Sequence, residues 1–273
     1  MSEHKEISIH KRNELVRGAN PYTLNAQRLG NAIYHHIQIN KHFEDAPFKI
    51  PVQDVIEIMN LGKSKRYIEL IKKSLIELTK PIEVYNPKIL SLFTKNDKQT
   101  VLWKAIPFIS DVQLTKEGKT TYIEGSMSNS MRIILAHSNE GNFTPLVLNT
   151  YLTKLQSKHS YVLYEYIESY KNDNNRKSKI VFSFERLDKM FNLKGSAKYK
   201  YFSKFLPLLE RSIEDINKNT NMYVKLAVDK QRKQYIIYRI FQYSKKEVVK
   251  TVYIKDKISD DEMYAHPNGL FSN

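Results

Sequence analysis

The chain has 273 residues, 41% of them hydrophobic, which is enough apolar material for two ordinary cores and too much for a disordered chain. Lysine and arginine number 44 against 29 acidic residues, a net charge of +15, so the expected partner is a polyanion: nucleic acid first, an anionic membrane surface second. There is no cysteine, which excludes a cysteine-ligated zinc finger, an iron–sulfur cluster and a disulfide scaffold. No apolar run approaches the ~20 residues that span a bilayer, and the polar start Met1-Ser2-Glu3-His4-Lys5 is no signal peptide, so a cytoplasmic location is expected.

Residues 1–20 are polar and are expected to form a flexible N-terminus. Leu24, Leu29, Ala32, Ile33 and Ile37 then recur near a 3.6-residue period, with Thr23 placed to cap a helix. A short apolar helix follows at Val52, Val55, Ile56 and Met59. After Gly62 a third helix steps through Ile68, Ile71, Leu75 and Leu78, and Pro81 ends it. The next region reads as strands: Ile82–Tyr85, Val101–Leu114, Thr120–Met127 and Met131–Leu135, separated by Gly, Ser and Asn turns. Three helices followed by a strand pair is the winged-helix order.

After a connection at 136–150 the order returns. Helices are expected at 149–156 and 159–171, a loop at Asn172–Asn175, a strand at Val181–Phe184, a short helix at Glu185–Phe191 and a long helix over 199–217. Strands Met222–Val228 and Gln234–Tyr243 follow, joined by Asp229-Lys230-Gln231-Arg232-Lys233; the tail from Lys255 holds few apolar residues. An offset of 132 residues lays Asn60-Leu61 on Asn192-Leu193, Ser64 on Ser196, Tyr67 on Tyr199 and Lys72 on Lys204, with Val55 on Leu187, Ile58 on Met190 and Leu70 on Phe202. The chain is therefore expected to be α+β, with two tandem winged-helix domains at 21–136 and 149–254 and a mobile tail at 255–273.

Function is carried by where charge sits on the third helix of each half. In the first half Lys63, Ser64, Lys65 and Arg66 open the helix and Lys72 and Lys73 follow. In the second, Lys194, Ser196, Lys198, Tyr199, Lys200 and Lys204 come first and Glu210, Glu214 and Asp215 last. A helix dipole prefers the reverse order, each charge being worth ~0.3–1 kcal/mol, and a phosphate at the basic end would offset the misfit. Apolar residues lie opposite (Ile68, Ile71, Leu75; Phe202, Leu209, Ile213, Ile216), as in a recognition helix that enters the major groove. Lys230, Arg232 and Lys233 sit where a wing touches backbone, and Arg176, Lys177 and Lys179 extend the basic strip. Residues 174–250 hold 19 basic against 7 acidic residues, so most of the excess charge lies in the second domain. An ordinary solvated basic face is the blander alternative for either helix alone; its recurrence in matching positions argues for DNA.

These segments also resemble the Rep_3 family of plasmid replication initiators. Ser160-Tyr161-Val162-Leu163-Tyr164-Glu165 is similar to the family's S-x-Y-x-x-R-L-Y-E segment, and Phe184-Glu185-Arg186-Leu187 to its next element. Tyr199-x-x-Phe202-x-x-Phe205 leads into a stretch, Leu209 to Asn217, that resembles L-x-x-A-x-x-E-I-N; Gln231-Arg232-Lys233 resembles the x-G-R-K hairpin, and Asn13-Glu14-Leu15 also fits. The resemblance covers roughly 11–245. It departs at Val162-Leu163, where the family carries arginine, and at Pro207, which either starts the long helix as its first residue or kinks it. The resemblance implies binding to repeated duplex sites (iterons) at an origin, a dimer as well as a monomer, and recruitment of host helicase, initiator proteins and chaperones, with no covalent chemistry and no membrane. Dimerisation is expected in the first domain, with Val101-Leu102-Trp103 and Met131–Leu135 as exposed edge strands. A transcriptional repressor of the same architecture, or an RNA-binding protein, are the alternatives.

Other signals carry less. Gly62-Lys63-Ser64 lacks the upstream glycine of a phosphate loop, Glu57 standing in its place. His35 and His36 are adjacent rather than flanking an apolar residue, so they do not form the metal-binding pair of a rolling-circle nickase and read as a helix face near a domain interface. No HExxH or other ligand spacing occurs, and neither metal nor cofactor is expected. Most of the 18 tyrosines fall at core spacing rather than forming a stacking platform for single strands.

Overall fold

The computed structural model describes residues 7–18, 21–40, 47–61, 66–94, 99–136, 143–148, 152–170, 179–193, 201–240 and 252–254. The polar N-terminal stretch is already structured: strand β1 (Ser8–Arg12) and helix α1 (Asn13–Val16) bury Ile9 and Val16. This corrects the expectation of a flexible N-terminus over residues 7–18; the rest of 1–20 lies outside the described residues. β1 offers one fully apolar residue, Ile9, and is held from outside: Tyr34 Oη donates to the His10 carbonyl at 2.5 Å and the His10 N–H donates to Gln38 Oε1 at 3.2 Å. Both partners lie on α2 (Leu24–Ile39), whose first turn Thr23 caps as expected, accepting from the Ala26 N–H. His35, on the same helix, places Nδ1 3.0 Å from the Ser8 carbonyl.

The 132-residue repeat is a repeat of backbone. β2 (Phe48–Pro51) runs into α3 (Val52–Met59), which ends at Asn60 with φ 52°. The Leu61 N–H returns to the Ile56 carbonyl and the Asn60 N–H to that of Glu57, a paired closure that requires a left-handed residue, where asparagine is tolerated. After α4 (Tyr67–Leu78) come β3 (Pro81–Val84), α5 (Pro87–Leu90), a 3-10 turn at Ser91–Phe93, and β4 (Lys104–Pro107), which pairs with β3. A hairpin of β5 (Ile109–Glu117) and β6 (Thr120–Met127) completes a three-stranded sheet in the order β2-β6-β5. Residues 101–103 are not a strand, which corrects the edge strand expected at Val101-Leu102-Trp103; from Lys104 the apolar stretch is two strands in two sheets, bent at Phe108.

Met131–Leu135 is not a strand. It lies in α6 (Asn129–Ala136), where Met131, Ile134 and Leu135 are buried at helical spacing and Ser128 Oγ accepts from the Met131 N–H. Its β-branched composition misleads, because the cap and the 3/4 period decide. β7 (Phe143–Val147) then pairs antiparallel with β1, inside the stretch expected to be a plain connection.

The second unit opens with a 3-10 turn at Leu152–Lys154 and α7 (Lys158–Glu168). β8 (Lys179–Ser183) leads into α8 (Phe184–Phe191), which ends at Asn192 with φ 50° and the same two return bonds as Asn60, from the Leu193 and Asn192 N–H groups. Then come α9 (Phe202–Asn219), β9 (Tyr223–Asp229) and β10 (Gln234–Ile240). The sheet order β8-β10-β9 repeats that of the first unit, and β11 (Val252–Ile254), which the sequence did not show, lies parallel to β9 at the outer edge. Each unit therefore has the winged-helix sequence of helix, strand, helix, helix and hairpin; β3, α5 and β4 are an insertion in the first. α7 packs on α1 and β7 on one side and on α8 and α9 on the other, so the core is continuous across the two units. The expected loop at Asn172–Asn175 and the tail from Lys255 fall outside the described residues.

Candidate nucleic-acid interface

α9 presents two faces. Phe205, Leu208, Leu209, Ile213 and Ile216 are buried, while Lys204, Pro207, Arg211, Glu214 and Lys218 follow one another along the exposed face at spacings of three and four. An aromatic nest fixes the N-terminal half of that helix: the Phe205 ring lies 5.7 Å from each of Phe184, Phe191 and Tyr235. The helix runs through Pro207 instead of starting there. Lys204 therefore lies in the first turn, where its own N–H and that of Phe205 both reach the Tyr201 carbonyl. Proline removes one bond near the start of an 18-residue helix, and the Pro207 carbonyl accepts from Arg211 Nε at 3.0 Å. Arg211 was not anticipated; between Glu210 and Glu214 it reads as part of the acidic end, and only the 3/4 spacing from Lys204 identifies it.

The wing of the second unit turns through Lys230 to Lys233. Asp229 Oδ1 accepts from the Arg232 N–H at 2.9 Å, and Lys233 takes φ 52°. Lys230, Arg232 and Lys233 all project to solvent. In the first unit, Arg66 is exposed at the entry to α4, and Lys72 and Lys73 lie on its exposed face, with Lys72 Nζ 3.7 Å from Glu69 Oε1. Glu69 stands in the first turn of α4, so the reversed charge order expected for that helix is partly neutralised there. Glu77 is engaged with Thr23, whose hydroxyl donates to Oε2 at 2.7 Å. The first wing adds two cations that the sequence reading passed over, Lys116 and Lys119, which flank a turn where Gly118 has φ 58°; Glu-Gly-Lys between two β-rich runs was the available signal. Behind this wing Lys49 bridges Glu117 and Glu124, contacts that raise its pKa and lower that of Glu124. Lys63, Ser64, Lys65, Arg176, Lys177, Ser196, Lys198, Tyr199 and Lys200 lie outside the described residues. Val162 and Leu163, at the position of the family arginine, are buried.

His159 supports the nest from α7, its ring 5.0 Å from Phe191. Burial first, then Lys158 and Arg211, push its pKa down from 6.5 to about 4. The folded state therefore holds the neutral ring, and this contribution to stability is complete above about pH 6.5 and is lost as the pH falls toward 4. Lowering the pH from 7 to 5 should cost roughly 1 kcal/mol through this group, after discounting for solvent screening. Urea unfolding across that range should show a smaller loss in His159→Phe; an equal loss in both proteins would place the titration elsewhere.

Two helix–helix–hairpin units, each with a basic exposed helix and a basic wing, define a tandem winged-helix protein. The chain belongs to the family of initiator replication proteins: the model of that family's first winged-helix domain (“Initiator Replication protein, WH1”) matches residues 8–168, more than half of the chain. Among solved structures, the Pi initiator protein crystallised in complex with iteron DNA superposes with a TM-score of 0.62 at 21% identity, over 88% of this chain and 100% of that one. Domains 2 and 3 of RctB match at a TM-score of 0.47 and 12% identity, over 84% of this chain and 81% of theirs. No curated protein sequence matches the chain.

Proposed function

We propose that this protein starts plasmid replication by binding directly repeated duplex sites at its origin, α4 and α9 each facing a major groove and the two wings lying on phosphate. The observation that carries the reading is the duplicated helix-and-wing unit, basic on its exposed face in both copies, in a chain of the initiator family. It acts without covalent chemistry, in the bacterial cytoplasm at the plasmid, and hands the opened origin to host helicase, initiator proteins and chaperones. No helix among the described residues is long and apolar enough to cross a membrane. A nuclease footprint on the DNA flanking the gene should cover repeats of ~20 bp, consistent with two grooves per molecule. A plasmid carrying those repeats should replicate only with an intact reading frame. Protection without replication would make the protein a repressor.

Within the interface the two kinds of contact should separate. Lys204→Ala or Arg211→Ala should weaken the cognate site by about 10–100-fold and random duplex much less, as loss of a base-edge contact does. Lys230→Ala with Arg232→Ala should weaken cognate and random duplex alike. Competition binding decides, and equal losses on both duplexes in the helix variants would remove α9 from the reading role.

The proposed dimer contact is the segment that leads into the inserted ribbon. Leu102 is 80% and Trp103 50% exposed in the non-strand segment before β4, beside exposed Tyr85, whereas Met131–Leu135 lies in α6 with Met131, Ile134 and Leu135 buried, so neither is the edge strand expected. Replacing both Leu102 and Trp103 by serine should weaken self-association about 30-fold, as loss of an interface hot spot does. Sedimentation velocity that shows the same monomer–dimer equilibrium in the variant would move the contact elsewhere.

A further inference from the structure

α7 is the first helix of the second unit, yet it is buried over most of its length; Glu168 turns to Arg239 of its own unit, whereas Glu165 and Tyr161 face the first unit. Glu165, 2% exposed, accepts from Lys11 Nζ of β1 at 3.0 Å on both oxygens and from Asn31 Nδ2 of α2 at 3.1 Å. Asn31 Nδ2 also lies 2.5 Å from Tyr161 Oη. One helical turn further on, Arg17 donates to Ser169 Oγ at 2.9 Å and to its carbonyl at 2.7 Å, and its guanidinium covers the Tyr170 ring at 4.0 Å. Arg28 of α2 clasps the connecting chain through the Thr153 and Leu155 carbonyls at 2.7 and 2.6 Å. By the 132-residue repeat, Glu165 occupies the place that Ile33, a fully buried core residue, holds in the first unit. An isoleucine there would have packed with no defined partner. A carboxylate there is satisfied in one register only, because displacement by an ångström or two breaks charge-assisted bonds that have no water to replace them.

We infer that Glu165, with Lys11 and Asn31, is a positioning residue for DNA recognition: the node locks the two winged-helix units at one separation and so fixes the number of base pairs that may lie between the two stretches they read. The inference rests on the proposed duplex binding by both units. It assigns to a buried ionic contact, far in sequence from either recognition helix, control over the length of the site rather than its letters. A continuous apolar interface alone would hold the units together while allowing them to slide, since dispersion contacts carry little directional preference.

The test uses the full chain with Lys11→Met and Glu165→Leu together, which removes both charges and keeps the volume. Duplex sites are selected from random sequence by the wild type, and variants of the best site carry one base pair deleted, or one or two added, at the centre of the footprint. Wild-type affinity should fall at least about 10-fold for each change, since each base pair rotates one half-site by about a tenth of a turn. The double variant should keep the original site within about 3-fold and show a flattened profile. A profile as steep as the wild type's overturns the inference, as does a wild type indifferent to spacing. The chain lacks cysteine, so labels at Lys119→Cys and Gln231→Cys on the two wing turns report their separation without DNA. That distribution should be narrow in the wild type and broad in the double variant, and equal widths also overturn the inference. If neither protein binds any duplex while the distributions differ as expected, duplex binding fails and the lock stands. A double variant that does not fold is replaced by Asn31→Ala, judged by the same two readouts.

Discussion

Raising the salt from 50 to 200 mM should weaken duplex binding by ~10³–10⁵, with a slope of log affinity against log salt between about −5 and −9, if 6–10 phosphates are neutralised. Cations stand on both units. Lys204 and Arg211 occupy the exposed face of α9, Lys230, Arg232 and Lys233 the second wing, and Arg66, Lys116 and Lys119 the entry helix and wing of the first unit. Cations on both units give a slope that neither could supply alone. Removing Lys230 and Arg232 together should make the slope shallower by about 2, one released counterion per lost phosphate contact. Removing Arg211 should lower affinity for the cognate site with little change in slope, if its guanidinium reads a base edge rather than a phosphate. Titration by fluorescence anisotropy at four salt concentrations measures all three. A slope near zero for the wild type would mean that the +15 net charge serves something other than duplex DNA.

The two units were legible where local chemistry is repeated. Asn60 and Asn192 close α3 and α8 with matching return bonds, and the apolar spacing of both helices is written in a few adjacent residues. Leu209, Ile213 and Ile216 are assigned inward from period alone and are buried. What the sequence hid depends on distant partners. β1 has a single deeply buried apolar residue, Ile9, and is a strand because β7, more than 130 residues away, pairs with it. Met131–Leu135 carries β-branched residues, but Ser128 caps it into a helix. Glu165 and Glu168 look like surface residues in any helical projection. They are buried because Lys11 lies opposite the first and Arg239, 2.9 Å away, opposite the second. Arg211 was concealed by its acidic neighbours, whereas its spacing from Lys204 was always visible.

Lys11→Met alone should destabilise the fold by about 3 kcal/mol, at the lower end of the cost of stranding a buried charge. The two charges are unequally buried. The Glu165 side chain is 3% exposed and that of Lys11 16%, so removing the lysine leaves a carboxylate that cannot reach water, with Asn31 as its remaining donor. Removing the glutamate instead leaves an ammonium near the surface that can turn outward along its flexible stem, so Glu165→Leu should cost about half as much or less. The double replacement should recover most of the loss, because a well-packed apolar pair of similar volume is often as stable as the ion pair it replaces. Urea denaturation of the four proteins closes a double-mutant cycle, and the coupling energy should be at least ~1.5 kcal/mol, beyond what an exposed pair supplies. A coupling near zero would mean that the Lys11–Glu165 contact is loose in solution, and burial by the surrounding apolar side chains would then carry the interface between the two units.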